Sequence, residues 1–295
     1  MPSATISAVL GNHQWLDGGS MFGNVPRPVW QSWLVPDVKG RIQLACRALL
    51  IEHAGKRILC ETGIGAFFEP KLAERYGVTQ PEHQLLASLS SLGLSERDID
   101  AVILSHLHFD HAGGLLPSYA EMQAGRNDLL FPKARYLVGE QALKRAQQPH
   151  ARDRVSFVPG LVEKLIASGR MTTVQGETVP DFYPDRLSFR YSNGHTPGQM
   201  HTVFRGDKQT VVFCGDLIPG TAWVHAPVTM GYDRFPELLI DEKMALYERA
   251  APEHWLLFYT HDPAVAASEV TAAAAGGGSK FVPSHPLSEV NRLAI

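Results

Sequence analysis

The sequence predicts an α/β fold, and three observations carry that prediction. Short apolar runs of strand length recur along the chain, and stretches of helical spacing lie between them. Polar clusters begin where several of the runs stop. In open α/β sheets, sites are built where strands leave the core.

Taken in order, residues 4–10 alternate loosely and read as a first strand. Residues 16–30 carry Leu16, Met21, Phe22 and Trp30 in a stretch punctuated by Gly and Pro, which reads as a loop. Residues 47–61 read as a hairpin around Ala54-Gly55-Lys56. Leu85, Leu86, Leu89 and Leu92 have helical spacing over 81–92, and Gly93 supplies a stop. Ser95 with Glu96 and Asp98 starts a short helix or turn before the buried strand Ala101-Val102-Ile103-Leu104. Residues 135–138 read as a strand, 140–148 and 161–168 as helices, and 149–159 as a surface loop. Residues 187–191 alternate as a strand, 201–205 and 209–214 pair around Gly206-Asp207, and 255–260 form another buried strand. The stretch 271–279 reads as a frayed helix end entering a flexible turn, and 280–282 as a closing edge strand.

Of the 295 residues, 44% are hydrophobic and 19% charged, as in an ordinary soluble globular protein with a sizeable core. The net charge is -3 with no Lys/Arg cluster, so nucleic acid is not the expected partner. Cys46, Cys60 and Cys214 lie in or beside apolar runs and read as reduced core residues. No secretory leader pattern and no membrane-length apolar run is present, so the expected location is cytoplasmic.

The chemistry concentrates in Ser105-His106-Leu107-His108-Phe109-Asp110-His111. On an extended segment His106, His108 and Asp110 share one face, while Leu107 and Phe109 share the other. His111 breaks the alternation, so the chain turns there and offers a donor in a new direction. Imidazole and carboxylate donors suit a divalent transition metal, zinc above all. One ion could take His106 and His108, and a second could take Asp110 and His111.

The pattern His106-x-His108-x-Asp110-His111 resembles the signature of the metallo-β-lactamase superfamily. The resemblance implies a four-layer αβ/βα sandwich with one or two metals between its sheets, here as a single domain over 1–295. It further implies a downstream histidine, an aspartate and a last histidine, each at a strand end. His195 follows 187–191, Asp216 follows 209–214, and His261 follows 255–260. By the resemblance, His106, His108 and His195 bind one metal and Asp110, His111 and His261 the other, with Asp216 bridging. Glu61-Thr62-Gly63 stands where the family usually has Asp-Thr-Gly, so Glu61 is expected to support the site without binding metal. His13, His53, His83, His150, His254 and His285 are expected at the surface or in loops, and His201 near the ligands.

The implied activity is hydrolysis by a hydroxide held between two divalent ions, zinc first, with iron or manganese as alternatives. Asp216 and Asp110 are the expected catalytic carboxylates. A small-molecule lactone or carboxylic ester with an apolar acyl or aryl part is the expected substrate. Met21, Phe22, Trp223, His225, Met230 and Tyr232 are expected to line its pocket, with residues 11–34 forming part of the wall. The same site would suit a phosphotriester or a thioester, and a mononuclear iron persulfide dioxygenase is the alternative of a different class. N-acyl homoserine lactonases carry a tyrosine soon after the bridging aspartate; here Asp216-Leu217-Ile218-Pro219 has none, and Tyr232 is the nearest downstream. The aromatic loop could instead serve a homodimer, and no membrane partner is expected.

Overall fold

The computed structural model describes residues 3–176, 179–273 and 280–295. In chain order the first strands are Thr5–Leu10 (β1), Gln14–Asp17 (β2), Arg41–Leu44 (β3), Arg47–His53 (β4) and Lys56–Cys60 (β5). Ala101–Leu104 (β6), Arg135–Gly139 (β7), Met171–Val174 (β8), Leu187–Ser192 (β9) and Gln199–Arg205 (β10) follow. Thr210–Phe213 (β11), Leu256–Phe258 (β12), Ala267–Ala272 (β13), Phe281–Leu287 (β14) and Leu293–Ala294 (β15) complete the set. A 7-stranded sheet runs β15-β1-β4-β5-β6-β7-β8, a 6-stranded sheet runs β14-β13-β12-β11-β10-β9, and β2 pairs with β3.

Alternation within the strands explains the layers. In β6, Ala101 and Ile103 face the second sheet, while Val102 and Leu104 face the outer helices. In β11, Val211 and Phe213 point between the sheets and Val212 points outward. Strands apolar on both faces need cover on both faces. Helices Gln84–Ser91, Glu140–Gln147 and Leu161–Ala167 cover the first sheet through Leu85, Leu89, Leu143, Leu161 and Leu165. Helix Pro236–Ala250 covers the second through Leu239, Leu246 and Tyr247. The result is the expected αβ/βα sandwich.

β5, β6, β7 and β8 are parallel, as are β11 and β12, so their carboxyl ends share one edge of each sheet. Backbone bonds stitch the two edges together: Met200 N–H donates to Ser105 O (2.8 Å), and Arg47 N–H to Thr260 O (2.9 Å). Glu61, His106, Asp216 and His261 all emerge along this seam.

Several local expectations need correction. Residues 16–30 contain the end of β2 and short helices Gly18–Phe22 and Arg27–Trp30, because Asp17 caps the first and Pro28 starts the second. Residues 149–159 are not merely surface: Asp153 is buried, and Phe157 bridges to His108. Thr271 and Ala272 end β13 and not a helix, paired with Val282 and Phe281; residues 274–279 lie outside the described residues. His83 is buried, its Nε2–H donating to Gly114 O (2.9 Å). Among the described residues no helix is long and apolar enough to cross a membrane.

The Gly113-Gly114 pair closes the ligand loop against Thr62 and Ile64. A Cβ on Gly114 would lie 2.0 Å from Thr62 O, a backbone atom that cannot step aside. Gly114→Ala is therefore expected to destabilise the fold by about 3 kcal/mol, as for a forced overpacking. An unchanged urea midpoint would show that the loop can shift.

Candidate metal centre

The extended segment ends earlier than the sequence spacing predicts. After β6 the chain stays extended through His108, then turns into the short helix Phe109–Ala112. His111 N–H and Ala112 N–H both donate to His108 O, at 3.1 and 3.0 Å. Asp110 and His111 therefore leave one helical turn, whereas His106 and His108 leave extended backbone, and the two pairs face different ion positions.

All the predicted donors converge. His106 Nε2 lies 3.0 Å from His108 Nδ1, and His195 Nε2 lies 3.3 Å from the same atom. His261 Nε2 lies 3.3 Å from His111 Nε2. Asp216 sits between the sets: Oδ2 is 3.2 Å from His195 Nε2 and 3.3 Å from His111 Nε2, and Oδ1 is 3.2 Å from His261 Nε2. Asp110 lies 3.6 Å from both His111 Nε2 and His261 Nε2. The groups His106/His108/His195/Asp216 and Asp110/His111/His261 each have donor atoms within 4.8 Å of one another, as does Glu61/His106/His111.

The outer ring nitrogens decide what the inner ones carry. His261 Nδ1–H donates to Ala45 O (2.7 Å), His111 Nδ1–H to Glu61 Oε2 (2.7 Å) and His195 Nδ1–H to Asp233 Oδ1 (2.9 Å). His106 Nδ1–H donates to Ser105 Oγ (2.8 Å), whose own proton goes to Glu61 Oε1. In neutral rings each Nε2 then presents a lone pair inward. The lone pairs of His111 and His261 Nε2 then face each other at 3.3 Å and repel unless a cation lies between them. The donor set thus fits divalent metal ions.

The electrostatics agree. Burial opposes charge on His111, but Asp216, Glu61 and Asp110 outweigh it and hold its pKa well above the ordinary imidazole value. Burial likewise opposes charge on His261, and Asp216 again prevails. Burial, then the neighbouring histidines, push His106 and His108 well below that value. For Asp216, burial is overcome by His111, His195 and His261, which keep the carboxylate ionised. One half of the centre attracts positive charge and the other lacks protons to displace.

The cleft above the donors is lined by Leu16, Met21, Tyr76, Phe109, Met230 and Tyr232 among others. Of the predicted pocket residues, Met21, Met230 and Tyr232 are in this lining. Phe22, Trp223 and His225 are not. Phe22 and Trp223 stack on each other at 4.6 Å behind the wall, where Trp223 Nε1–H donates to Met21 O (2.9 Å). His225 stacks on Trp33 (5.5 Å), away from the donors. Phe22 and Trp223 are buried in a core cluster with Trp30, Ile42 and Leu44, where their large apolar rings are shielded from water.

The sequence spacing misses several contributors. Gln14 Nε2–H donates to Asp110 Oδ2 (2.7 Å), and both groups are buried. Glu242 accepts from Asn193 N–H and Gly194 N–H, at 2.7 and 3.0 Å, holding the turn that presents His195. Gln14, Asp233 and Glu242 have no motif around them; only Ser105, adjacent to His106, carried a local signal. His201 is buried, with Nε2 bonded to Ser192 Oγ (2.9 Å), and burial pulls its pKa down to about 4. The thiols are inert: burial pushes Cys60 up to about 12 and raises Cys46 and Cys214.

Lys243 ties the cleft wall to its supporting helix. It is fully buried and donates to Trp223 O (2.9 Å) and Val228 O (2.6 Å). Burial pulls its pKa down to about 7, from 10.5, with Asp233 opposing. Between those values the unfolded chain binds the extra proton, so this residue makes stability rise with pH; below the folded value both states are protonated and the contribution is flat. The urea midpoint of the wild type relative to Lys243→Met is thus expected to rise between pH 7 and 10 and to stay constant between pH 5 and 6. A difference constant throughout would refute this.

A sequence profile described as the Metallo-beta-lactamase superfamily matches residues 41–261. A Metallo-beta-lactamase fold-containing protein, ST1585, from Sulfurisphaera tokodaii is 27% identical over 148 residues, 48% of this chain and 54% of the relative. The match thus spans only about half of that relative's length. A probable metal-dependent hydrolase from Staphylococcus aureus is similar in structure, with TM-score 0.82, 25% identity and coverage of 97% and 100% of the two chains. The dizinc quorum-quenching lactonase AidC shares the fold at TM-score 0.74 and 19% identity, over 99% and 97% of the chains. With the profile covering most of the chain, and the sandwich and the donor cluster beside it, this protein belongs to the metallo-β-lactamase superfamily.

Proposed function

We propose that the protein is a hydrolase that binds two divalent metal ions, zinc first, and cleaves a lactone or carboxylic ester with an apolar acyl or aryl part. The carrying observation is the convergence of imidazole nitrogens from both sheets around the buried Asp216 carboxylate. His106, His108 and His195 hold one ion, Asp110, His111 and His261 the other, and Asp216 is shared. Ions held there supply Lewis acidity for a carbonyl oxygen and lower the pKa of a water toward neutrality.

The chain's own residues position the reaction. Gln14 holds Asp110 Oδ2, which leaves Oδ1 to orient a water and accept its proton. Leu16, Met21, Phe109 and Met230 offer apolar surface for an acyl or aryl group, and Tyr232 offers a phenol beside it. AidC, a dizinc lactonase described with a product N-acyl homoserine, supports the lactone choice by sharing this fold.

Metal-loaded protein is to be tested by acid release in a pH-stat on a long-chain N-acyl homoserine lactone and on aryl esters, with metal content measured in parallel. kcat/KM above roughly 10⁴ M⁻¹s⁻¹ on either class with about two ions per chain supports the proposal. Faster turnover of a thioester or phosphotriester would reassign the substrate. One iron per chain with oxygen uptake on a persulfide would overturn the hydrolase reading.

A further inference from the structure

One side of the cleft wall is cationic, and nothing in the hydrolytic scheme uses it. Arg152 and Arg234 both belong to the lining that contains His108, His195 and Asp216. Arg152 comes from the loop after helix Glu140–Gln147, and Arg234 from the segment before helix Pro236–Ala250. They are remote in sequence and meet only across the cleft wall.

Their hydrogen bonds go to neutral acceptors. Arg152 Nη2–H donates to Gly231 O (2.9 Å), and Arg234 donates to Tyr232 O from Nε (3.2 Å) and Nη2 (2.8 Å). These bonds fix the guanidinium planes and leave further N–H groups unused. Among the described residues no carboxylate lies within ion-pair distance of either side chain. The nearby acids are committed elsewhere: Asp153 to Arg145 (2.7 and 2.9 Å), and Asp233 to His195 Nδ1 (2.9 Å). Partial burial lowers the pKa of Arg234, and Arg152 and Arg145 lower it further, while Asp153 and Asp233 oppose the shift from a distance without pairing with it.

Two arginines left unneutralised beside a substrate cleft match a planar anion. We propose that Arg152 and Arg234 form an anion subsite, so that the substrate carries a carboxylate in addition to its scissile ester or lactone. This rests on the cleft being the substrate site of the proposed hydrolase. The apolar lining then accepts the linker between the two ends of the substrate, while the arginines set which end faces the donors. A neutral acyl homoserine lactone would leave the subsite unfilled.

The test uses the full-length, metal-loaded protein and separates the subsite from turnover. Binding is measured by calorimetry for glutaranilic acid, an amide that stands in for an aryl ester of glutaric acid, and for its methyl ester. The free acid is expected to bind about 30-fold more tightly than the methyl ester, and Arg152→Gln and Arg234→Gln each to shrink that ratio by roughly fivefold to tenfold. Raising salt from 0.05 to 0.5 M should shrink it too. Arg152→Lys, which keeps the charge, should retain more of the preference than Arg152→Gln; both side chains can still donate to Gly231 O, so the difference reads the charge and not that bond.

A preference for the acid that survives both Gln variants would mean that the carboxylate goes elsewhere, and would overturn the subsite. So would equal binding of acid and methyl ester. Turnover is read separately with mono(4-nitrophenyl) glutarate and its methyl ester. If neither is hydrolysed while the binding preference depends on the arginines, the ester-hydrolase reading falls and the anion subsite stands.

Discussion

An Asp216→Ala variant is expected to lose at least about 10³-fold in kcat/KM, roughly 4 kcal/mol of transition-state stabilisation. Its metal content should fall from about two ions per chain to one or fewer. The reason is geometric. Asp216 is the only predicted donor within 3.2 or 3.3 Å of nitrogens belonging to both groups. It is buried, and its Oδ1 faces only His261 Nε2 at 3.2 Å without a well-aligned hydrogen bond among the described residues. A buried carboxylate is costly unless positive charge neutralises it, and a metal ion is such a charge. Without the carboxylate, His111 and His261 lose the charge that chiefly favours their positive state. Metal analysis after gel filtration and the thermal midpoint in chelator should be measured together. Full metal content with activity within tenfold of wild type would remove Asp216 from its proposed role.

Glu61→Gln should weaken metal binding by about 10- to 100-fold, as found when partners behind a ligand are changed. Glu61 accepts from His111 Nδ1–H through Oε2 and from Ser105 through Oε1, while Ser105 accepts from His106 Nδ1–H. One carboxylate thereby fixes the tautomer of a histidine in each group. A glutamine has one accepting oxygen, so its amide N–H must face a donor at one of these contacts. Relief comes by moving the proton of His111 or His106 to Nε2, where a metal would otherwise bind. Glu61 also stands at a positive φ of 65°, a backbone position that holds the carboxylate under the histidines. Chelator competition on the intact protein measures the loss. Affinity within twofold of wild type would show that the tautomers are set without Glu61. Glu61→Asp, which restores the family's usual residue here, is too short by a methylene to reach both partners and should fall between the two.

Much of this was visible before the structure. The strands were legible because their alternation is a property of a few adjacent residues: Ala101 to Leu104 and Thr210 to Phe213 carry their layer assignments in their own order. The donors were legible for the same reason: His106, His195, Asp216 and His261 lie two or three residues past strand ends, and His108, Asp110 and His111 follow His106 in one short motif. The helix over 236–250 was not. Its buried stripe of Leu239, Lys243, Leu246, Tyr247 and Ala250 is interrupted by a lysine, so the apolar period is broken where the charge is buried. The turn was legible at His111, but its start at Phe109 was not, because it follows from closing Gly113-Gly114 against Thr62 and Ile64, which are remote in sequence.

The sequence by itself determined which chemical groups are available: imidazoles and carboxylates at strand ends, in a sandwich whose strands are apolar on both faces. The tertiary structure decided what those groups can do. Tautomers depend on Glu61, Asp233 and the Ala45 carbonyl, and the placement of the Asp110 carboxylate depends on Gln14. The charge of the cleft wall depends on which arginines lack an acid. All of these are pairings over long sequence separations, where packing rather than local preference selects the partner. Hydrogen-bond and charge energies fall steeply with distance, so only the folded positions could say that Phe22 and Trp223 stack behind the wall while Arg152 and Arg234 face the cleft.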